Sequence, residues 1–255
     1  MRLAYVDFGG QGLPIVILHA LFASARNWMG VGRFLSELGH AYALDLRNHG
    51  RSPRGESHSL EDLADDLEEW CREHLDSPPV LLGHSMGGLA AMAYALRRPQ
   101  AVRALLVVDI APKTYRGSYE RELQALRLDI SKYASRSRIE EALKDLLPEE
   151  RVRRFFLTNI EKGPEGFYWL TNGPALEASA LLRGSDYRSL DGLYEGPVLV
   201  IAGGESGFVS FDDYPHLFRL FPRAQVRTIP QADHWVHASA PAPFRELVRG
   251  FLAGL

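Results

Sequence analysis

One short stretch, Gly83-His84-Ser85-Met86-Gly87, constrains the fold of this chain more than any other. An apolar run leads into it, and a helix-like segment from Leu89 to Arg98 follows at once. Gly-x-Ser-x-Gly between a strand and a helix is typical of a nucleophile elbow, a sharp turn with the serine at its apex. Glycine is needed at both flanking positions because a Cβ there would collide with neighbouring backbone. The pattern predicts Ser85 as a nucleophile and places the Met86 amide at a helix N-terminus, which favours negative charge.

Strand-like and helix-like segments alternate around this turn. The apolar runs are short and mostly uninterrupted, as in strands that are covered on both faces of a parallel sheet. Segments with apolar residues at helical spacing lie between them. The alternation predicts an α/β fold with a mostly parallel central sheet and helices on both faces. The predicted strands are 3–8, 14–18, 40–44, 79–82, 102–108, 197–202 and 224–230, and the predicted helices include 27–38, 89–98 and 212–221.

A further helix is predicted to open at Ser59, which forms a capping-box pattern with Asp62. Its apolar stripe includes Cys71, which we therefore expect in the core. Its acidic face, formed by Glu61, Asp65, Asp66, Glu68 and Glu69, is predicted to be solvated.

The alternation stops between residues 113 and 190. No strand is predicted there, and helical stripes occur instead, separated by Pro and Gly-Pro pairs. Because strands resume directly afterwards, we interpret the segment as a helical cap inserted into the core; a separate helical domain is the alternative. The predicted division is an α/β core of residues 1–112 and 191–255 with a cap of residues 113–190, in one compact domain.

Length and charge narrow the classes of function. The 255 residues carry a net charge of −3, which is too slight to favour a nucleic acid or an anionic membrane as partner. The single cysteine excludes an internal disulfide and fits a reducing compartment. The N-terminal stretch does not resemble a signal peptide, and the apolar runs are too short to span a bilayer. We expect a cytoplasmic monomer or homodimer without stable membrane association, acting on a small molecule.

A serine nucleophile needs a base, and the chain has nine histidines. His234 follows the last predicted strand, so it occupies the place in chain order that is expected for the base in a fold with this elbow. His237, three residues later, raises a metal pair as the alternative, but further ligands at the usual spacing are missing and we expect no metal. His19 and His84 are predicted beside the elbow, His49 in a turn, and His40, His58, His74 and His216 on the surface.

Five short blocks, taken in chain order, carry a resemblance to a known family. They are HALF at 19–22, DLRNHGRS at 45–52, GHSMGG at 83–88, VDIAP at 108–112 and HWVHA at 234–238. Together they resemble the α/β-hydrolase superfamily, and most of all its small YbfF-like esterase branch. The resemblance covers the whole core, with the cap in its usual place. It departs in the first block, where the family usually has His-Gly and this chain has His19-Ala20.

The resemblance implies an acidic residue that orients His234 and stabilises its charged form. Many α/β-hydrolases carry this acid in the turn after strand 197–202, but Ser206 stands where the aspartate is expected. The other family placement, at the end of the preceding core strand, is filled by Asp109. The resemblance and the missing aspartate both favour Asp109 as the acid, with Glu205 as the alternative.

The resemblance also implies an oxyanion hole built from two backbone amides. One belongs to Met86, and the other to Leu21, or to Phe22 if the loop is set one residue differently. Phe22, Phe155 and Trp169 are predicted to line an apolar substrate pocket, unless the two cap residues form only the cap's own core.

The block 45–52 has two interpretations. Arg47 or His49 offers a substrate contact, whereas a hydrogen-bonded turn that holds the neighbouring loops is the interpretation that we prefer.

These residues predict a serine hydrolase that cleaves carboxylic esters through an acyl-enzyme, without a metal or an organic cofactor. The aromatic cap and the resemblance indicate short to medium acyl chains. An acyl thioesterase with the same residues is one alternative, and a non-catalytic ligand-binding protein on a hydrolase fold is another. Dehalogenase and epoxide hydrolase chemistry is disfavoured because those relatives have a carboxylate where Ser85 stands.

Overall fold

The computed structural model describes residues 1–115, 119–179 and 187–255. Its central feature is a seven-stranded sheet in the order β1-β3-β2-β4-β5-β8-β9. Only the edge pair β1–β3 is antiparallel, and the five other pairs are parallel. The prediction of an α/β fold with a mostly parallel sheet is therefore confirmed. The strands of this sheet are Tyr5–Gly9 (β1), Pro14–Leu18 (β2), His40–Leu44 (β3), Val80–His84 (β4), Ala104–Val108 (β5), Val198–Gly203 (β8) and Ala224–Ile229 (β9).

The central strands β2, β4, β5 and β8 are buried along their whole length, as their uninterrupted apolar sequences predict. Alternate side chains point to opposite faces of the sheet, so each strand contributes side chains to two apolar clusters, one on each face. One face packs on α2, α3 and α8, and the other packs on α1 and α10. The helices are Met29–Leu35 (α1), Leu60–His74 (α2), Met86–Arg97 (α3), Glu120–Leu126 (α4), Arg136–Ala142 (α5), Glu150–Leu157 (α6), Gly173–Ala178 (α7), Tyr214–Leu220 (α8), Val236–Ser239 (α9) and Pro241–Leu252 (α10).

Helix α2 begins where the capping box predicts, because Ser59 Oγ accepts from the Asp62 amide at 3.0 Å. Its acidic face is not solvated throughout, and that part of the prediction is wrong. Asp66 is 1% exposed and binds the Arg47 guanidinium through both carboxylate oxygens, at 2.6 and 2.8 Å. A buried carboxylate requires such a partner, and this one comes from the loop after β3. Arg47 therefore holds that loop to α2, in line with the preferred interpretation of block 45–52.

The segment between β5 and β8 contains a hairpin that the sequence did not predict. Strands Ile160–Gly163 (β6) and Gly166–Trp169 (β7) pair antiparallel, so the expectation of no strand between 113 and 190 is wrong. The turn 164–165 closes the hairpin, with Gly166 at φ 114, and the aromatic run 167–169 suits a pleated strand. Ile160, which lies at helical spacing from Phe156, begins β6 instead of extending a helix.

Helices α4 to α6 and this hairpin surround their own apolar cluster, which includes Leu126, Ile139, Phe156 and Trp169. The cap boundaries 113 and 190 stay predictions. Residues 116–118 and 180–186 of the predicted cap lie outside the described residues. Within the described ranges, no helix is both long and apolar enough to cross a membrane.

Candidate active site

The turn between β4 and α3 has the backbone of a sharp elbow. Ser85 has φ 52 and ψ −119, a region that non-glycine residues rarely occupy. A Cβ at Gly83 would lie 2.3 Å from the Gly87 carbonyl oxygen, and one at Gly87 would lie 2.3 Å from the Leu18 carbonyl oxygen. Both contacts are with backbone, which cannot move aside. The expected reason for the two glycines therefore holds, and the turn presents Ser85 at the carboxyl edge of the sheet.

Ser85 and Asp109 lie at the ends of neighbouring strands. In the parallel pair β4–β5, His84 is opposite Val108, and the Ser85 amide donates to the Val108 carbonyl at 3.0 Å. Asp109 is fully buried, and its carboxylate oxygen Oδ2 is 2.8 Å from Nδ1 of His234. Because an ionised carboxylate only accepts, Nδ1 carries the proton in this contact and Nε2 is left as the basic nitrogen. The structure thus brings the predicted base and the predicted acid together.

The second oxygen of Asp109 is held by the turn after β8. Oδ1 accepts from the Gly203 amide at 2.8 Å and from the Ser206 hydroxyl at 2.8 Å. The Phe208 amide in turn donates to Ser206 Oγ at 3.2 Å. These contacts compensate for burying the carboxylate and fix its plane. Glu205, the alternative acid, is exposed at this turn, and its amide donates to the Ala232 carbonyl at 2.9 Å.

Two contacts hold His234 in place, one on the face of its ring and one at its backbone carbonyl. Phe208 stacks on the ring with centroids 3.9 Å apart and an interplanar angle of 22°. Nε2 of His84 lies 2.7 Å from the His234 carbonyl oxygen, so His84 is the donor. Burial holds the pKa of His84 well below its usual value, which keeps the ring uncharged. His84 thus links the elbow strand to the loop that carries His234.

In the loop after β2, the amides of Leu21 and Phe22 are the two candidates for the second oxyanion donor. Phe22, with φ 61, uses its amide to donate to Nε2 of His49 at 3.1 Å. That leaves the Leu21 amide as the candidate donor of the loop. Met86 is the first residue of α3, where the amide has no partner within the helix. The carbonyl of Phe22 accepts from Asn159 Nδ2 at 2.6 Å, so the hairpin end of the cap segment also holds this loop.

Backbone strain is concentrated at these positions. In the described ranges, the non-glycine residues with positive φ are Phe22, Asn48, Ser85 and Asp109. Each such residue costs on the order of 1–3 kcal/mol, and strain of this kind collects at functional sites. Three of the four are predicted site residues, which agrees with a site at this edge of the sheet.

The residues predicted to line the substrate pocket separate into two groups. Phe155 borders a cavity of about 270 Å³ that also touches Ala20, Trp28, Trp235 and His237. Phe22 and Trp169 are instead buried in the apolar cluster of the cap segment. The Trp169 indole donates to the Leu128 carbonyl at 3.1 Å.

His237, the second half of the hypothetical metal pair, stacks on Trp28 with ring centroids 4.1 Å apart. Burial lowers the pKa of His237 to about 4, so the ring is neutral. Throughout 1–115, 119–179 and 187–255, no cluster of three or more His, Cys, Asp or Glu side chains is arranged to hold a metal ion.

Several supporting residues were not predicted from the sequence. Ser206 is marked in the sequence only by its place where an aspartate is expected, and no local motif contains Phe208 or Asn159. His58 was predicted on the surface but is 2% exposed, and its Nε2 is 3.3 Å from Sδ of Met86. His58, in the loop before α2, therefore contacts the first residue of α3.

Three comparisons with known proteins agree with this architecture. A family profile of the alpha/beta hydrolase fold matches residues 14–241. The sn-1-specific diacylglycerol lipase ABHD11 of Danio rerio is 34% identical over 263 residues, covering 99% of this chain and 83% of the relative. Esterase YbfF of Escherichia coli is 31% identical over 246 residues, covering 94% and 92%. The solved structure of a marine microorganism esterase has a TM-score of 0.92 at 34% identity, covering 98% of this chain and 99% of that one.

Proposed function

This chain belongs to the α/β-hydrolase family, and we propose that it is a serine carboxylester hydrolase. In this proposal Ser85 is the nucleophile, His234 is the general base and then the general acid, and Asp109 orients His234. The amides of Leu21 and Met86 form the oxyanion hole. The names of the similar proteins, an esterase and a lipase among them, support ester cleavage as the reaction class.

One observation carries the proposal: the 2.8 Å hydrogen bond between His234 and the buried Asp109, at the strand end beside the strained Ser85. A carboxylate that accepts the Nδ1 proton leaves Nε2 of the imidazole unprotonated, so this nitrogen can take a proton from a serine hydroxyl. The remaining Asp109 oxygen is saturated by the turn 203–206, which keeps the carboxylate in place. Base, acid and nucleophile then lie at one edge of the sheet.

The reaction proceeds in two halves. Ser85 Oγ attacks the ester carbonyl while His234 takes the hydroxyl proton, and the carbonyl oxygen becomes an oxyanion facing the amides of Leu21 and Met86. When the C–O bond breaks, His234 gives its proton to the departing alcohol and an acyl-Ser85 ester remains. Water, deprotonated by His234, then attacks this ester. The acyl C–O bond to Ser85 breaks, His234 returns the proton to Ser85 Oγ, and the carboxylic acid is released.

The proposed acyl preference is for short to medium chains. The cavity beside the oxyanion loop, about 270 Å³, is small for a ligand pocket, and its walls include the aromatic rings of Trp28, Phe155 and Trp235. Polar side chains, those of Asn27, Arg151 and Thr158 among them, also line the cavity, so its volume and its aromatic rings together favour a compact acyl or alcohol group.

The test is a substrate series assayed with wild type, Ser85→Ala and His234→Ala. We expect wild type to hydrolyse p-nitrophenyl acetate and butyrate, with falling kcat/KM at long chains, and both variants to lose turnover. Acyl-CoA thioesters of the same chain lengths distinguish a thioesterase, which would prefer them. A wild-type protein that cleaves none of these compounds would contradict the proposal and favour ligand binding without catalysis.

A further inference from the structure

We propose that His49 is a positioning residue of the oxyanion hole. Its imidazole accepts a hydrogen bond from the Phe22 amide and thereby orients the neighbouring Leu21 amide toward the reacting carbonyl. This inference rests on the proposed function. It gives a role to the second of the two residues of block 45–52 that offered a substrate contact, since the first, Arg47, binds α2.

His49 is built to accept one hydrogen bond. It is fully buried, and its Nδ1 is 3.0 Å from the Arg47 carbonyl oxygen. A carbonyl only accepts, so Nδ1 carries the proton and Nε2 is the acceptor for the Phe22 amide at 3.1 Å. Burial lowers the pKa of His49 to about 3, so the ring remains neutral and keeps this acceptor. A protonated ring would have none.

The backbone that His49 holds is strained. Phe22 has φ 61, which is unusual for a bulky residue, and it follows Leu21 in a turn closed by the Ala23 amide donating to the Ala20 carbonyl at 3.1 Å. The third position of such a turn normally carries glycine or asparagine. A conformation of this kind persists only when its surroundings fix it.

The peptide units on both sides of Leu21 are fixed. His19 Nδ1 lies 2.7 Å from the Ala20 carbonyl oxygen, and the amide of the same peptide unit belongs to Leu21. Because a trans peptide is planar, the Leu21 N–H points opposite to that carbonyl. His49 holds the next unit through the Phe22 amide. Without this acceptor, the Phe22 amide is free to turn, and the backbone at Leu21 is held on one side only, through His19. The Leu21 amide is then free to move out of line with the reacting carbonyl.

The experiment compares His49→Leu with His49→Gln, whose amide oxygen reaches the place of Nε2. The measured quantities are kcat and KM for a p-nitrophenyl ester and the Ki of an alkyl trifluoromethyl ketone, which forms an oxyanion on the serine. We expect His49→Leu to lower kcat by roughly 10- to 100-fold, since a small misplacement has effects of this size. Ki should rise in proportion while KM changes little, and His49→Gln should recover most of both.

A folded His49→Leu protein with wild-type kcat and Ki would overturn the inference. If that variant does not fold, His49→Asn replaces it, because the asparagine side chain is too short for its oxygen to reach the Phe22 amide. His49→Asn must then show the loss of kcat and the rise of Ki that His49→Gln avoids. Equal values for the Asn and Gln variants would overturn the inference. His40→Leu, on the remote and partly exposed start of β3, is the control for loss of a histidine. Wild type that neither hydrolyses the ester nor binds the ketone would refute the proposed function itself.

Discussion

Burial and hydrogen-bond donors distinguish Asp109 from Glu205 as the candidate acid, although both side chains end in a carboxylate. Asp109 receives three donors, from His234, Gly203 and Ser206, while being fully buried. Glu205 lies one residue from Ser206 but is exposed. The turn after β8, which carries the acid in many family members, here supplies donors to an acid on the neighbouring strand.

This arrangement predicts opposite results for two similar substitutions. Asp109→Asn should lower kcat by roughly 10⁴-fold, because an amide at this position no longer selects the imidazole tautomer with a free Nε2. Glu205→Gln should leave kcat within about twofold, as is usual for an exposed residue without a role in the reaction. Steady-state kinetics of both, with circular dichroism as the folding control, decides between them. The reverse ranking would assign the acid to Glu205.

Ser206 provides a finer test of the same carboxylate. Ser206→Ala removes a hydrogen bond to a charged group, so kcat should fall by about tenfold while KM is unchanged. Ser206→Thr keeps the hydroxyl and should retain most activity. The two variants are compared with the same ester under saturating and limiting conditions. Equal kcat values for both would mean that Ser206 does not position Asp109.

Strand β4, the elbow and helix α3 act as one element, and close backbone packing holds them together. The Gly83 Cα faces the carbonyl of Gly87, and Gly87 faces that of Leu18 in the next strand. This packing leaves no volume for a side chain. The position of Ser85 at the sheet edge therefore depends on Gly83 and Gly87, which have no side chain to take part in the reaction.

Gly83→Ala should consequently lower the free energy of unfolding by about 3 kcal/mol, the scale of overpacking against backbone. Gly250→Ala is the matched control, because Gly250 lies in α10 with open space around its Cα. That substitution should raise stability by about 0.5–1 kcal/mol. Urea unfolding of both variants measures the difference, and equal midpoints would contradict the packing argument.

Elements with local signals were predictable, and long-range contacts were not. The elbow could be read from the pentapeptide 83–87 because its glycines and serine meet within one turn. The hairpin β6–β7 was missed because its strands have four residues each and its aromatic run fits either a strand or a helix. The His234–Asp109 bond joins residues 125 positions apart, so choosing the acid required the family resemblance.

Four histidines are buried and uncharged in the folded protein, and together they affect the stability of the whole molecule. His19, His49, His58 and His84 are each at most 2% exposed. Burial lowers the pKa of His19 to about 4, of His49 to about 3 and of His58 to about 2, and that of His84 well below its usual value. In the unfolded chain each has a pKa near 6.5.

Stability should therefore decrease as the pH falls below about 6.5. Between that pH and about 4, the unfolded chain binds protons at these histidines that the native protein does not. Each histidine then removes about 1.4 kcal/mol per pH unit from the free energy of unfolding. Above about pH 6.5 all are neutral in both states and their contribution is constant. Urea unfolding at about pH 7.5, 6 and 5 measures this, and a flat profile would be inconsistent with neutral buried histidines.

The role of Ser85 as the nucleophile underlies every other proposed role in the site. Its most direct test is to react the protein with a fluorophosphonate, digest it and locate the adduct by mass spectrometry. We expect a single adduct on the peptide that contains Ser85, loss of ester turnover in step with labelling, and neither adduct nor turnover in Ser85→Ala. An adduct on another residue, or ester turnover that survives in Ser85→Ala, would contradict this role for Ser85.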